Sequence, residues 1–333
     1  MSGVAGNCWS MSEHTDHLEL AHKIAAELGE PKKTYEELVT FLKSAPADKL
    51  SEYSLEFVKN IQINIRFAPV IERQDAEQPF LTKSPQKIYE TTQFDFDVLF
   101  TITSAEFVGL MNLFPPPLED VLKSEFELPL PFKGLEIPKD DQRILTKKIR
   151  EFYFDGSADA LKQYVDLLSD INFGYEIDKT VKTHAAKSNG RTFYAVFSMD
   201  SKLNVLKRQN PEVANVPGAS HYDEVHYLFR FKSAQSLYDD VLSNMEDEGS
   251  KISLKLIDNI THLFTNFAKY GDLFDKNDSI QIRPVQGDNV HYLDLNNYGF
   301  TTGLNPKKET FDFLADIERQ AISVNSLKQR DEL

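Results

Sequence analysis

The chain is short of the residues that mark several large functional classes. It holds one cysteine, Cys8, in 333 residues. No internal disulfide can close, and a zinc cluster built from thiolates is excluded. A lone cysteine fits a reducing compartment. Positive charge is scarce as well: 37 Lys and Arg stand against 52 Asp and Glu, for a formal net charge of -15. That balance disfavours nucleic acid and anionic membrane surfaces as partners. No stretch approaches the ~20 apolar residues of a membrane span. The opening "MSGVAGNCWSMSEHTDHLEL" has neither a basic n-region nor an apolar h-region, so it does not read as a secretory signal. Internal repeats and low-complexity tracts are missing too.

What remains has the composition of an ordinary soluble globular protein, 41% hydrophobic and 27% charged. The length exceeds the usual ~100–200 residues per domain and allows one large α/β domain or two smaller ones. "HLELAHKIAAELGE" sets Leu18, Ala21, Ile24, Ala25 and Leu28 on one helical face, with Thr15 or Asp16 to cap its start and Gly29 to end it. Thr34 to Pro46 reads as a second short helix with a threonine N-cap. "IQINIRFAPVIE" reads as extended, broken at Pro69.

"DFDVLFTITS" is different. Val98 to Thr103 is a short β-rich apolar run with no polar face, the pattern of a strand buried on both sides of a parallel sheet. "RTFYAVFSMD" is a second such run. Three helices are predicted between them, around Asp140–Phe154, Ala158–Asn172 and Tyr175–Ser188. The spacing points to β-α-β crossovers. "SIQIRPV" and "VHYLDLN" are expected to pair as shorter strands about a Gly287-Asp288-Asn289 turn. Long helices are predicted over Lys251–Tyr270 and Lys308–Ile322. The proline-rich stretches "LFPPPLED" and "FELPLPFKGLEIPKDD" read as a packed excursion from the sheet.

Two residues stand out when taken together. Glu106 follows the first buried strand by three positions, in "TITSAEF". His221 lies past the second, in "NVPGASHYDEV", after a Pro217-Gly218 turn signal. Ligand and catalytic groups of open α/β sheets gather at the C-terminal ends of strands. Alone, Glu106 reads as an acid capping a helix N-terminus, and His221 as a surface loop histidine. Together they follow the acid-then-histidine order of an α/β-hydrolase.

Six stretches, "MSGVAGNCWS", "FAPVIE", "TITSAEF", "FYAVFSMDSKLN", "GASHYDEVHYLF" and "LFTNFAKYGD", resemble consecutive landmarks of the type-B carboxylesterases. These include the cholinesterases, the insect juvenile-hormone-esterase-like enzymes and the non-catalytic neuroligin-like adhesion proteins. The resemblance spans essentially the whole chain and is strongest to the insect enzymes. It implies an α/β fold, the C-terminal portion of an α/β-hydrolase with a mixed, mainly parallel sheet flanked by helices, over residues 1–333. It implies hydrolysis of a small or lipid-like carboxylic ester through an acyl-enzyme, with no cofactor and no metal. Glu106 takes the triad acid's place in a "T-S-D-E-G" pattern that departs at Ala105 and Phe107. His221 takes the base's place in a "G-A-x-H-x-D-E-L" pattern that ends here in Val225, and Asp223 and Glu224 are then expected to serve the loop's structure.

The same resemblance calls for a nucleophilic serine in a Gly-x-Ser-x-Gly turn. Of the 14 glycines, only Gly299 and Gly303 stand four apart, in "GFTTG", around Thr301. That segment follows no buried strand and comes after the histidine, so it is expected to be a loop. Ser2, Gly3 and Trp9 match a family segment that lies shortly after the nucleophile. The chain is therefore expected to begin downstream of its serine and to be inactive alone. It should leave an open, apolar sheet edge for a second chain to cover. The alternative function is a non-catalytic binding or adhesion module, or a truncated pseudo-enzyme. The terminal Arg330-Asp331-Glu332-Leu333, in a tail over 328–333, is a variant of the endoplasmic reticulum retrieval signal. It points to that lumen, against a cytoplasmic location if translation starts at Met1. His14, His17 and His22 lack a strong ligand set. Cys8 and Trp9 are expected to be packed, and the sequons at Asn259 and Asn277 are near chance in number.

Overall fold

The computed structural model describes the chain except residues 1–2, 8, 12–16, 32–33, 54–66, 112–117, 124–127, 129, 131, 133–134, 136 and 332–333, and the side chains of 327–331. Ahead of the first strand come helices α1 (His17–Glu27), α2 (Tyr35–Ser44), α3 (Ala47–Glu52) and α4 (Pro85–Thr91). Strand β1 (Val98–Thr103) is followed by α5 (Leu118–Val121), α6 (Lys139–Tyr153), α7 (Ala160–Ser169) and α8 (Tyr175–Lys187), and then by β2 (Thr192–Phe197). After β2 the chain forms α9 (Val205–Arg208), α10 (Val225–Leu228), α11 (Gln235–Ser243) and α12 (Glu248–Tyr270). It closes with β3 (His291–Asn296), β4 (Gly299–Leu304) and α13 (Lys308–Asp331).

The strands lie in the order β1-β2-β3-β4. β1 pairs in parallel with β2, with Phe100 opposite Tyr194, and β2 in parallel with β3, with Ala195 opposite Leu293. β3 and β4 are antiparallel. Successive side chains of a strand point to opposite faces, and the core divides accordingly. Phe100, Ile102 and Tyr194 pack with Leu145 and Ile149 of α6, Tyr164 and Leu167 of α7, Ile177 of α8 and Ile317 of α13. Leu99, Phe193, Ala195, Phe197 and Leu293 pack on the other face with Leu256, Ile260 and Leu263 of α12 and Tyr238 of α11. The sheet is thus covered by helices on both sides, which explains why β1 and β2 carry no polar face. Each fully buried aromatic or aliphatic side chain contributes about 1.5–3 kcal/mol. Among the described residues no helix is long and apolar enough to cross a membrane.

The ends of the elements follow local chemistry. α2 opens with a capping box: Thr34 Oγ1 accepts from Glu37 N, and the Glu37 carboxylate accepts from Thr34 N. α12 starts on Asp247, whose carboxylate accepts from Ser250 N, and stops at Gly271 in the left-handed conformation. Arg191 bonds both Asp97 and Asp272, tying the starts of β1 and β2 to the end of α12.

Several expectations are corrected. α7 and α8 are one continuous helix joined by a π-turn over Asp170–Gly174, where two separate helices were expected. Gly174 hid the continuity, since glycine reads as a stop although its φ here is helical, -60°. "SIQIRPV" is not a strand. It runs extended, with Ile280 and Ile282 against the core and one ladder-like bond from Val285 N to Thr192 O. The partner of β3 is "GFTTGL", expected to be a loop. Its glycines lower β propensity, yet Tyr292 sits opposite Gly303 and lays its ring against it. β1 is followed by a 3-10 turn, Val108–Leu110, where the start of a helix was expected. Leu18, placed on the packed face of α1, is 52% exposed. The extended reading of residues 61–66, parts of the proline-rich excursion, Cys8, His14, Thr15, Asp16, Glu332 and Leu333 fall outside the described residues. Val121, Leu128 and Leu130 of that excursion do pack in the core.

Candidate active site

The turn after β1 and the loop after α9 are laced together at the C-terminal end of the sheet. Ala105 N donates to Ala219 O (3.0 Å) and His221 N to Glu106 O (2.9 Å). Gly109 N donates to Ser220 Oγ (2.9 Å), and Ala219 N to Ser104 Oγ (3.2 Å). The approach at Gly109 leaves no room for a side chain, because a Cβ there would lie 2.7 Å from Leu206 Cβ and would also strike Ser220 Oγ. Gly218 takes φ +104°, a region closed to most residues, and so completes the turn begun by Pro217.

This lacing brings Glu106 and His221 into contact. Glu106 is fully buried. Its Oε1 accepts from Thr103 N (2.7 Å) and its Oε2 meets His221 Nδ1 (2.7 Å). A buried carboxylate needs such partners, since burial without them costs several kcal/mol. The His221 side chain keeps 26% of its surface exposed, and among the described residues its Nε2 has no hydrogen-bond partner. Burial lowers the imidazole pKa, but the hydrogen bond and charge of Glu106, with Glu224 and Asp223 beyond, outweigh it and hold the ring above the ordinary histidine value. With Nδ1–H given to Glu106, the lone pair sits on Nε2, where the ring can take up a proton.

The loop is braced from below. Lys207 is completely buried. Its Nζ donates to Val216 O (2.8 Å), to Gly218 O (3.0 Å) and to the Asp200 carboxylate. Asp223 is buried as well. Its Oδ2 accepts from Ser220 N (2.7 Å) and Asn204 Nδ2 (3.0 Å). Burial pushes the Asp223 carboxyl up to about 7, against the pull of the Ser220 and Asn204 hydrogen bonds. Glu224 and His226 are also buried. The two acids after the histidine are thus internal to the loop and not solvated. Tyr222 adopts φ +73°, a strained conformation for a bulky residue, of the kind that gathers at functional loops.

The fourth side of the site is the π-turn. Phe173 stands 4.9 Å, centroid to centroid, from the His221 ring. Trp9 lies 5.4 Å from Phe173 and donates Nε1–H to Asn172 O (2.8 Å). Asn7 Nδ2 donates to Asn172 O (3.0 Å) and Phe173 O (3.2 Å). A π-turn displaces carbonyls from the regular helix ladder, and these donors bond them. Asp170, in the same turn, accepts from Lys307 Nζ (2.7 Å) and Tyr153 OH (3.2 Å). Burial raises the Asp170 pKa against the pull of Lys307.

Sequence reasoning missed Lys207, Asn204, Asp170 and Phe173. No motif marks a buried lysine, though its place between β2 and the Pro-Gly turn was a weak cue. Phe107, noted only as a departure from the family pattern, is buried, and its N–H donates to Ser169 Oγ (3.1 Å). Thr301 lies exposed on the outer strand β4, with β3 between it and β2.

A model of the carboxylesterase family matches residues 1–314. Esterase B1 of Culex pipiens is 26% identical over 243 residues, covering 69% of this chain and 44% of that protein. The crystal structure of juvenile hormone esterase from Manduca sexta, with OTFP covalently attached, superposes with a TM-score of 0.71 at 21% identity. It covers 96% of this chain and 59% of its own. The likeness in structure is one of fold. The chain spans about half the length of the relatives it matches.

Proposed function

Since the chain belongs to the carboxylesterase family, we propose that it supplies the acid and the histidine of an ester hydrolase whose nucleophile lies outside these 333 residues. Glu106 holds the His221 tautomer and stabilises the imidazolium. His221 Nε2 takes the proton of a serine hydroxyl as that oxygen attacks the ester carbonyl, then returns it to the departing alcohol. A water molecule repeats the sequence to release the acid. The observation that carries this reading is the buried Glu106 carboxylate, fixed at Oε1 by Thr103 N and presented at Oε2 to His221 Nδ1. A neuroligin-like binding surface has no physical need of that arrangement.

The test is to capture the native protein through its "KQRDEL" end, measure its intact mass and treat it with a fluorophosphonate. The expected result is a mass well above 38.1 kDa and a label on a serine outside this sequence. A native protein of 38.1 kDa that neither takes the label nor hydrolyses esters would overturn the proposal. It would turn attention to a partner-dependent or purely binding role.

A further inference from the structure

On the side of the sheet covered by α12, the end of that helix and the loop after it bring together three side chains with metal-ligand chemistry. His262, Asp275 and Asp278 each offer one ligand atom, and these atoms all lie within 4.8 Å of one another. We propose that they form a binding site for a zinc-type divalent cation, which clasps α12 to the loop leading toward β3.

The geometry is close to what such an ion asks. His262 Nε2 and Asp278 Oδ2 are 3.6 Å apart, while two ligands each ~2.1 Å from a tetrahedral ion stand ~3.4 Å apart. The three side chains are partly or fully exposed, so rotamer changes can draw them in without disturbing the core. The loop itself is already set. Asp275 N donates to Asp278 Oδ2 (2.8 Å), which orients that carboxylate and leaves Oδ1 for further contacts. Gln281 Nε2 donates to Asp275 O (2.8 Å). One turn along α12, the Asn266 amide lies 3.0 Å from His262 Nε2. With that amide as donor, the ring proton resides on Nδ1 and the Nε2 lone pair accepts from Asn266, a bond the cation would displace to reach Nε2. This is the tautomer a metal requires.

The donor set also selects the ion. One imidazole nitrogen with two carboxylates is too few oxygens for calcium and suits zinc, cobalt or nickel. Water would complete the coordination, and nothing about the site calls on the Glu106–His221 pair. The ion would offset the repulsion of two neighbouring carboxylates at one helix end.

The experiment is calorimetric titration of the full chain with Zn²⁺ alone at pH 7.5, on wild type, His262→Gln, Asp278→Asn and the double variant His17→Gln/His22→Gln. One Zn²⁺ per chain at micromolar concentration is expected for wild type and for the His17/His22 variant. His262→Gln and Asp278→Asn should each weaken it ~10-fold or more. His262→Gln changes a partly exposed residue, and Asp278→Asn keeps an acceptor for Asp275 N, so both should melt like wild type without zinc. The absence of saturable binding, or binding of unchanged affinity in His262→Gln, overturns the proposal.

Discussion

Glu106 and His221 are joined twice. The main-chain N–H of His221 donates to Glu106 O at 2.9 Å, and its Nδ1 meets Glu106 Oε2 at 2.7 Å. The backbone bond fixes where the imidazole begins and the side-chain bond fixes how it is turned.

Replacing Glu106 with Gln should therefore leave the loop in place and change the titration of the ring. Glu106 raises the His221 pKa against burial, so in Glu106→Gln the midpoint should fall, as read by the imidazole proton shifts across pH 5–9. A folded pKa above the unfolded value contributes stability that is fully present below the unfolded pKa. That stability is lost as pH rises through the folded pKa. The advantage of wild type over the variant in urea unfolding should thus be larger at pH 6 than at pH 9. An unmoved midpoint would contradict the geometry.

Asp223 acts with the same sign, its stability also falling as pH rises. Burial pushes its carboxyl up to about 7, well above the ordinary aspartate range. The stabilising contribution is complete at low pH, declines as pH rises from about 4, and is gone above about 7. Asp223→Asn keeps an acceptor for Ser220 N and cannot ionise. Relative to wild type, it should gain stability between pH 5 and pH 8 by an amount on the order of 1–4 kcal/mol. Parallel unfolding curves at the two pH values check this, and an equal offset at both would refute it.

Gly109→Ala should destabilise by about 1–3 kcal/mol, because the added methyl meets Leu206 Cβ and Ser220 Oγ at once. Adding Ser220→Ala should recover only part of the loss, since Leu206 still blocks the way. A denaturant double-mutant cycle measures the coupling. A harmless Gly109→Ala would mean that the two loops stand further apart in solution.

Lys207→Met removes three hydrogen bonds from a fully buried ammonium and strips Asp200 of one partner. The cost should be about 3 kcal/mol or more. Amide exchange of residues 218–223 should accelerate more than that of β1 and β2, because the brace acts on the loop. Uniform acceleration across the sheet would argue against that local role.

β1 and β2 were legible in the sequence because "VLFTIT" and "TFYAVF" have to be apolar on both sides to be sandwiched. Pro217-Gly218 announced a turn, and strand order placed Glu106 and His221 at the same end of a sheet. The rest depended on contacts the local sequence does not encode. "GFTTG" was expected to be a loop because it follows no fully buried strand, although β3 supplies it with a partner. The resemblance gave Asp223 and Glu224 a place in the loop's structure, but nothing in "HYDEV" says that Asn204 and the Ser220 amide accompany Asp223 inward. The cluster of His262, Asp275 and Asp278 bridges a helix and a loop, with spacings that match no metal motif.

The π-turn between α7 and α8 has a consequence for side-chain direction downstream. Each residue of a regular helix advances about 100° around the axis, so the wider turn at Asp170–Gly174 resets the phase of everything after it. Suppose the same residues were wound as plain α instead. Every side chain of α8 would then swing by about 100°. Ile177 and Val181 would leave the face that meets β1 and β2, and His184 would move away from Thr192. The helix lines the Glu106–His221 end of the sheet and packs on β1 and β2 at once only because it is wound out of step with itself.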